Sequence, residues 1–141
     1  MTRDNKGLWR ERWLNCINQL TSFDLQKISW VDKTHKNLHW SFVEFICSYF
    51  DDLAIDDNYK WQLDKGWVTN KEFEIIENWH IALDNYKSPN NDDYDNEAIL
   101  NDPIWKEILQ IGIKARNELE KILNDTERQF LTEEIDYLKY I

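Results

Sequence analysis

The chain of 141 residues is long enough for one domain with its own hydrophobic core, and no apolar run reaches the ~18 residues that a membrane span requires. Only three Gly and two Pro favour an all-α domain, and two Cys far apart in sequence argue against a disulfide framework or a zinc knuckle. The net charge is −10, and residues 51–103 hold fourteen Asp and Glu against four Lys and Arg, which argues against direct nucleic-acid or membrane binding and for a basic partner.

The first predicted helix runs from about Leu8 to Leu20, because its apolar residues recur with the 3.6-residue period and form one stripe. Cys16 lies in that stripe and is expected to be a small buried side chain rather than a nucleophile. Charged residues occupy the positions where a signal peptide would have its apolar core, so we expect a cytoplasmic protein with reduced thiols. A second short segment follows at about Leu25 to Val31.

A long helix is predicted from near Thr34 to about Leu53. Its apolar residues cover more than half of the circumference, which is typical of a helix at the centre of a bundle. The residues left for water are mainly Ser41, Glu44, Ser48, Asp51 and Asp52.

A short helix is predicted over about residues 57–65, with Gly66 as its left-handed C-terminal cap. Thr69 and Glu72 form a capping box that opens the next helix, which is expected to stop before Pro89.

Asp102 and Pro103 predict the start of another long helix, as an N-cap acid followed by Pro at the first helical position. This helix is expected to reach about residue 123, and the small residues Gly112 and Ala115 on its apolar face indicate a close helix crossing. A short terminal helix with Thr132 as its cap completes a single-domain, all-α bundle of about five to seven helices.

Three histidines raise the possibility of a metal site. His35 and His39 are four apart and share one side of a helix, while Glu77 and His80 have the Glu-x-x-His spacing of carboxylate-bridged di-iron bundles. A di-iron site needs two such pairs and two further Glu, and HExxH is absent because Lys36 follows His35. A helical metalloprotein using these four residues is an alternative function, and no metal or other cofactor is our first expectation.

Catalytic signatures are weak, so we do not expect an enzyme. No Arg precedes a His at the spacing used by HEPN nucleases, no G-x-S-x-G turn is present, and the three Gly are too far apart for a phosphate-binding loop.

The segment SPNNDDYDNEAILNDP, residues 88–103, has acids at alternate positions from Asp93, as in an EF-hand loop. Its sixth position is Ala98 instead of Gly, and its twelfth is Ile104 instead of a bidentate Glu, so a specific calcium site is not expected.

Two acidic loops carry aromatic residues close by, a combination found in charge-steered protein interfaces. The first acidic cluster consists of Asp51, Asp52, Asp56 and Asp57, and the second consists of Asp92, Asp93, Asp95 and Glu97. The alternative is a solvated acidic surface that serves only solubility. The candidate partner-binding residues are Asp51, Asp52, Asp56, Asp57, Trp61, Trp67, Asp92, Asp93, Tyr94, Asp95 and Glu97.

Residues 66–105, GWVTNKEFEIIENWHIALDNYKSPNNDDYDNEAILNDPIW, resemble a family of small helical bacterial proteins associated with toxin loci. With its acidity, its Asn, Lys and Ile content and its eight Trp, the chain resembles the immunity proteins of bacterial polymorphic-toxin and contact-dependent inhibition systems. The resemblance implies a stoichiometric inhibitor that binds a cognate, often basic nuclease toxin, and it transfers no functional residue.

A third hypothesis is an acidic inhibitor that mimics nucleic acid, and only the identity of the partner separates it from an immunity protein. The oligomeric state is left open.

Overall fold

Residues 3–30, 41–55 and 57–132 are described by the computed structural model, and their regular structure is entirely helical. The prediction of a single all-α domain is confirmed. Eight α-helices lie among these residues, and three of them have six residues or fewer. In chain order they are α1 (Arg3–Leu20), α2 (Phe23–Trp30), α3 (Phe42–Cys47), α4 (Lys60–Asp64), α5 (Asn70–Asp84), α6 (Asn96–Asn101), α7 (Pro103–Glu120) and α8 (Asp125–Thr132).

Three short helical turns extend or connect these helices. A π-helical turn, Ser48–Asp52, continues α3, and a 3₁₀ turn, Asp57–Tyr59, leads into α4. A second 3₁₀ turn, Pro89–Asn91, lies between α5 and α6. Turns of the π-helical kind distort a helix locally and are frequent at functional sites.

The close helix crossing expected at Gly112 is confirmed. A Cβ atom at Gly112 would lie 2.7 Å from Nε1 of Trp79 on α5 and 2.7 Å from Cγ2 of Thr21, just after α1. Since real Cβ atoms do not approach other atoms so closely, only glycine allows α7 to pack against both neighbours at this point.

Aromatic side chains dominate the core. Trp13, Trp79, Trp105, Tyr49 and Tyr59 are fully buried, and they join the aliphatic residues of α1, α5 and α7 in one cluster. Within the described ranges, no helix combines the length and the apolar character that a membrane crossing needs. Of the seven described Trp, four are buried in the core, namely Trp13, Trp30, Trp79 and Trp105.

Three local signals for helix ends are confirmed. Both hydrogen bonds of the capping box between Thr69 and Glu72 are present, at 2.9 and 3.1 Å. The Asp102 carboxylate caps α7 by accepting from the Ile104 amide, with Pro103 in the first turn. Gly66 adopts a left-handed φ of 73°, as its position after α4 predicts.

The prediction of one continuous helix from Thr34 to Leu53 is wrong at Ser41. This residue is extended, with φ −151° and ψ 172°, and its hydroxyl accepts from the Glu44 amide, so α3 begins at Phe42. In the sequence, apolar residues recur with the helical period on both sides of Ser41, so the pattern gave no sign of this N-cap. Cys47, expected within the apolar arc, is exposed, and residues 34–40 lie outside the described residues.

The expected cap at Thr132 is also wrong. Thr132 lies within α8, where its hydroxyl donates to the Arg128 carbonyl, and the rest of the predicted terminal helix lies outside the described residues. The helix begins instead after Asn124, whose side chain accepts from the Glu127 amide at 2.8 Å. The helical periodicity of apolar residues did not predict this start, because the stretch after Asn124 is charged and only weakly apolar. The apolar residues used to predict the helix come later in the chain.

Candidate functional site

A groove on one side of the bundle has a cavity volume of about 390 Å³. It lies between α1, the end of the π-helical turn and the α4 region, and we call it the tryptophan groove. Its lining residues are Trp9, Asp52, Leu53, Ala54, Trp61, Gln62 and Trp67.

Three indole rings form the wall of the groove and are connected to the core. The rings of Trp61 and Trp67 meet edge to face at 4.8 Å between centroids and 84° between planes, and Trp67 lies 5.9 Å from Trp9. Trp9 in turn stacks on the buried Trp13 at 5.5 Å and 22°. Trp61 is 48% exposed, which is unusual for so large an apolar ring and leaves a face available to a partner.

The backbone beside the groove is held in an uncommon conformation. Positive φ angles occur at Ala54, Asp57, Asn58 and Tyr59, and none of these residues is glycine. Such a conformation costs on the order of 1 kcal/mol or more at a non-glycine residue unless the side chain bonds locally, so the surrounding contacts must maintain it. Strain of this kind is concentrated at binding and catalytic sites, which favours this region as a functional one.

Gln62 is the main contact that holds this backbone. Its Nε2 donates to the carbonyl oxygens of Leu53, at 3.3 Å, and Ala54, at 3.1 Å. The indole N–H of Trp9 also donates to the Leu53 carbonyl, at 2.9 Å. The turn after the π-helix is therefore fixed from two sides.

The other polar atom of Gln62 is unsatisfied. Gln62 is only 1% exposed, and its Oε1 has no hydrogen-bond partner among the described residues. Leaving a buried acceptor without a donor costs about 1–3 kcal/mol, so a donor supplied by a ligand would recover part of that cost. Gln62, which carries this buried unsatisfied acceptor, thus lines the groove together with the exposed indole of Trp61.

The first acidic loop contributes a carboxylate to this groove. Asp52 lines it together with Trp61 and Trp67, so the structure brings three of the candidate partner-binding residues together. Asp51 and Asp57 are exposed nearby in the chain but are not among the lining residues, and Asp56 lies outside the described residues.

A second cleft of about 280 Å³ adjoins the groove and shares Asp52 with it. Cys16 lines this cleft, but burial and the neighbouring Asp52 raise the pKa of its thiol to about 12. A thiol with this pKa is not a nucleophile at neutral pH, so the expectation of a buried, unreactive Cys16 is supported.

The acids of the second cluster mainly organise their own loop. Asp92 accepts from the Tyr94 amide at 3.0 Å, Asp93 accepts from the Ser88 hydroxyl at 2.6 Å, and Asp95 caps α6 by accepting from the Ala98 amide at 3.1 Å. Glu97 is exposed in the first turn of α6, where a negative charge is favourable. Tyr94 is 80% exposed, which makes it the most accessible large side chain in the cluster.

The two acidic clusters lie towards opposite ends of one helical segment. The Phe42 amide, at the start of α3, donates to the Asn96 side chain beside Asp95, whereas Asp51 and Asp52 end the π-helical turn that continues α3. Ten residues of helix separate these ends by roughly 15 Å. A single small pocket cannot include both clusters, although one protein partner is large enough to reach both.

Trp9 and Gln62 were missed as site residues from the sequence. Trp9 belongs to the apolar stripe of α1 and was assigned to the core, and it reaches Leu53 across 44 positions of sequence. Gln62 is one of many polar residues in a charged stretch, and no local pattern marks it as buried. The nearest signal was the interruption of that stretch by Trp61 and Leu63, which places an apolar environment around Gln62.

His80, proposed as a metal ligand, belongs to a buried hydrogen-bonded chain. Its Nδ1 lies 2.8 Å from the Tyr49 hydroxyl, which contacts the Tyr59 hydroxyl, and Trp13 Nε1 donates to Tyr59 at 2.9 Å. Burial lowers the pKa of His80. In the part of the chain that the structure describes, no group of three or more His, Cys, Asp or Glu could hold a metal ion. His35 and His39 lie outside it, so the four-residue metal site stays a prediction.

Comparison of the chain with protein-family models, with curated proteins and with solved structures gave no match.

Proposed function

We propose that this protein is a non-enzymatic binding protein that engages a basic protein partner through the tryptophan groove. The observation that carries the proposal is that Asp52, Trp61 and Trp67 line one groove. Exposed Trp and Tyr are the residue types most enriched at the energetic centres of protein interfaces, and a neighbouring carboxylate adds selectivity for a cation.

The distribution of charge supports the same partner. Residues 51–103 account for a net charge equal to that of the whole chain, −10. A field of this sign accelerates the encounter with a positively charged protein and makes the association rate depend on salt. Within this proposal the second acidic cluster contributes to that field, and its exposed Tyr94 is a second candidate contact.

The biological role that fits this chemistry, together with the sequence resemblance, is that of an immunity protein. In the cytoplasm, it would neutralise a cognate basic toxin by covering the active site of the toxin or an adjacent surface. The toxin would be a nuclease or an enzyme of another activity. The proposal concerns stoichiometric binding, so no catalytic residue is assigned.

The test is titration calorimetry of the purified chain against the product of the neighbouring gene. We expect a one-to-one complex whose affinity falls as salt is raised, and at least a tenfold loss for Asp52→Lys, because a charge next to the centre of an interface affects both steering and contact. Glu107→Lys, at an exposed position of α7, makes the same change in net charge and should cost less than about threefold.

Equal losses for Asp52→Lys and Glu107→Lys would show that only total charge matters and that the groove is not the contact surface. Failure to bind the neighbouring product, or any basic toxin domain offered in its place, would overturn the proposed function. A complex displaced competitively by duplex DNA would instead identify the partner as a nucleic-acid-binding protein and favour the mimicry hypothesis.

A further inference from the structure

We infer that the tryptophan groove is a pocket for a single arginine side chain of the partner. This inference rests on the proposed function and narrows it to one chemical group. It is carried by the combination of an exposed indole, a carboxylate and a buried unsatisfied acceptor in one cavity, which are contributed by Trp61, Asp52 and Gln62.

A guanidinium group matches each of these features. Its flat face stacks on an aromatic ring, its five N–H groups lie in one plane, and its positive charge is never lost at physiological pH. The Oε1 of Gln62 has no hydrogen-bond partner among the described residues, so in the inferred pocket it would accept from the guanidinium, and the carboxylate of Asp52 would supply the opposite charge. The cavity volume of about 390 Å³ lies at the small end of the range for ligand pockets, roughly 300–1,000 Å³, which suits one long side chain.

Other side chains match less well. A lysine ammonium is more strongly hydrated and lacks a flat face, so it gains less from the Trp61 ring. An aliphatic side chain would leave the Gln62 Oε1 buried and unsatisfied, and a carboxylate would be repelled by Asp52.

The protein already holds one of its own arginines in a comparable environment next to the groove. The Arg10 guanidinium lies 5.3 Å from the ring centroid of Trp13, and it binds the carboxylates of Glu72 and Glu127. Its Nη1 also donates to the Trp67 carbonyl at 2.6 Å. An indole, a carboxylate and an uncharged oxygen acceptor thus combine around a guanidinium inside the chain, as they would in the tryptophan groove.

The experiment uses three blocked tripeptides that differ only in the central residue: arginine, lysine or citrulline. Citrulline has nearly the shape of arginine but no charge. Binding to the full chain is followed by the fluorescence of Trp and by the indole N–H resonances in ¹H–¹⁵N spectra. We expect a dissociation constant on the order of 1–10 mM for the arginine peptide, about tenfold weaker binding for lysine, and none detectable for citrulline.

Two variants locate the binding within the protein. Trp61→Ala removes a half-exposed ring and should abolish saturable binding of the arginine peptide, and Asp52→Asn should weaken it about fivefold or more. Ile104→Ala is the control, because it removes a large exposed apolar side chain of α7 that does not line the groove and should leave peptide binding unchanged. Circular dichroism confirms that each variant has the wild-type helix content.

The inference is overturned if the arginine and citrulline peptides bind equally, if Trp61→Ala binds the arginine peptide as the wild type does, or if no saturable binding occurs up to about 50 mM, several times the expected constant. Its failure is distinguishable from failure of the proposed function. A basic protein partner that binds Trp61→Ala as tightly as the wild type but is weakened by Asp52→Lys would refute the arginine pocket and leave the proposed binding at the groove standing. If the arginine peptide bound in the groove but no basic protein partner were found, the arginine pocket would be supported and the proposed function refuted.

Discussion

The indole N–H of Trp9 donates a 2.9 Å hydrogen bond to the carbonyl oxygen of Leu53, and this contact joins α1 to the turn that follows the π-helix. The same carbonyl accepts from Gln62, so one backbone oxygen is shared by two walls of the tryptophan groove. Because the turn includes positive φ angles, these hydrogen bonds maintain a conformation that the local sequence does not favour. The shape of the groove therefore depends on contacts between distant parts of the chain.

The strain in this turn can be tested at Ala54. Replacing Ala54 by Gly removes the Cβ that disfavours its φ of 53°, and we expect the free energy of unfolding to stay constant or rise by up to about 1 kcal/mol. The same change at Ala82, inside α5, should lower it by about 1 kcal/mol. Urea unfolding of both variants measures the contrast, and a loss at position 54 equal to that at position 82 would contradict the strained conformation.

Replacement by alanine should lower the free energy of unfolding at Gly112 and raise it at Gly7. Gly112→Ala places a Cβ 2.7 Å from atoms of Trp79 and Thr21, so we expect a loss of about 1–3 kcal/mol despite the better helix propensity of alanine. A Cβ at Gly7 in α1 would meet nothing within 4 Å, and Gly7→Ala should gain up to about 1 kcal/mol. Thermal and urea unfolding measure both values. Similar values for the two variants would be incompatible with the close crossing.

Substitution of Arg10, which lies at the edge of the hydrophobic core, should strongly lower the free energy of unfolding. All five of its N–H groups donate, to Glu72, to Glu127 and to the Trp67 carbonyl, which Lys cannot reproduce. We expect Arg10→Met to lower the free energy of unfolding by about 3–5 kcal/mol, since two partly buried carboxylates lose their partner.

The control for Arg10 is Lys121→Met, which removes an exposed ion pair with Glu118 and should cost less than about 1 kcal/mol. Denaturant unfolding at low and high salt distinguishes the partly buried Arg10 interactions from the exposed Lys121–Glu118 pair, because salt screens exposed pairs more strongly. If Arg10→Met also cost less than 1 kcal/mol, the interactions around Arg10 would not contribute to the stability of the fold.

Stability should fall as the pH is lowered towards 5, because of His80. Burial holds the pKa of His80 below its ordinary value, an effect that the charge of Asp84 opposes only in part. The unfolded state therefore takes up a proton at about pH 6.5, before the folded state does, and the stabilisation present above that pH is lost as the pH falls. Unfolding experiments between pH 7.5 and 5 measure the slope.

His80→Gln provides the comparison, because its side-chain oxygen can still accept from the Tyr49 hydroxyl but does not titrate. This variant should have a flatter profile between pH 7 and 5, with any remaining slope caused by other groups. Glu72 acts at lower pH: burial alone would raise its pKa, but the hydrogen bonds and charge of Arg10 and the hydrogen bonds of Thr69 together lower it, so this stabilisation is lost only below about pH 4.5. An unchanged slope in His80→Gln would refute the assignment to His80.

Local chemistry made several helix ends predictable from the sequence. The capping box of Thr69 and Glu72 and the Asp102–Pro103 start require only neighbouring residues, so their geometry could be derived without the fold. The N-cap at Ser41 could not be predicted, because the apolar pattern continues on both sides of it and the Phe42 amide is satisfied by Asn96, 54 positions away. Helix α6 was missed because the acids around its cap, Asp95, were assigned to a binding surface.

The candidate site was only partly predictable for the same reason. Trp61 and Trp67 could be paired with the acidic loop because they follow it closely in sequence. The contribution of Trp9 depends on the docking of α1, and the burial of Gln62 depends on a turn with positive φ angles that no Gly marks. Burial, which gives the Gln62 Oε1 its importance, is a property of the assembled fold and not of the residue type.

The ion pair between Arg10 and Glu127 joins positions 117 residues apart, nearly the whole length of the chain. Closing so long a loop costs conformational entropy before the contact can form, so the docking of α8 on α1 is expected to follow, rather than nucleate, the assembly of the central helices. An interaction made after the rate-limiting step slows unfolding without accelerating folding. In stopped-flow experiments, Glu127→Gln should therefore raise the unfolding rate and leave the folding rate and the slopes of both chevron arms unchanged. The Arg10–Glu127 pair would then help to determine the lifetime of the folded protein.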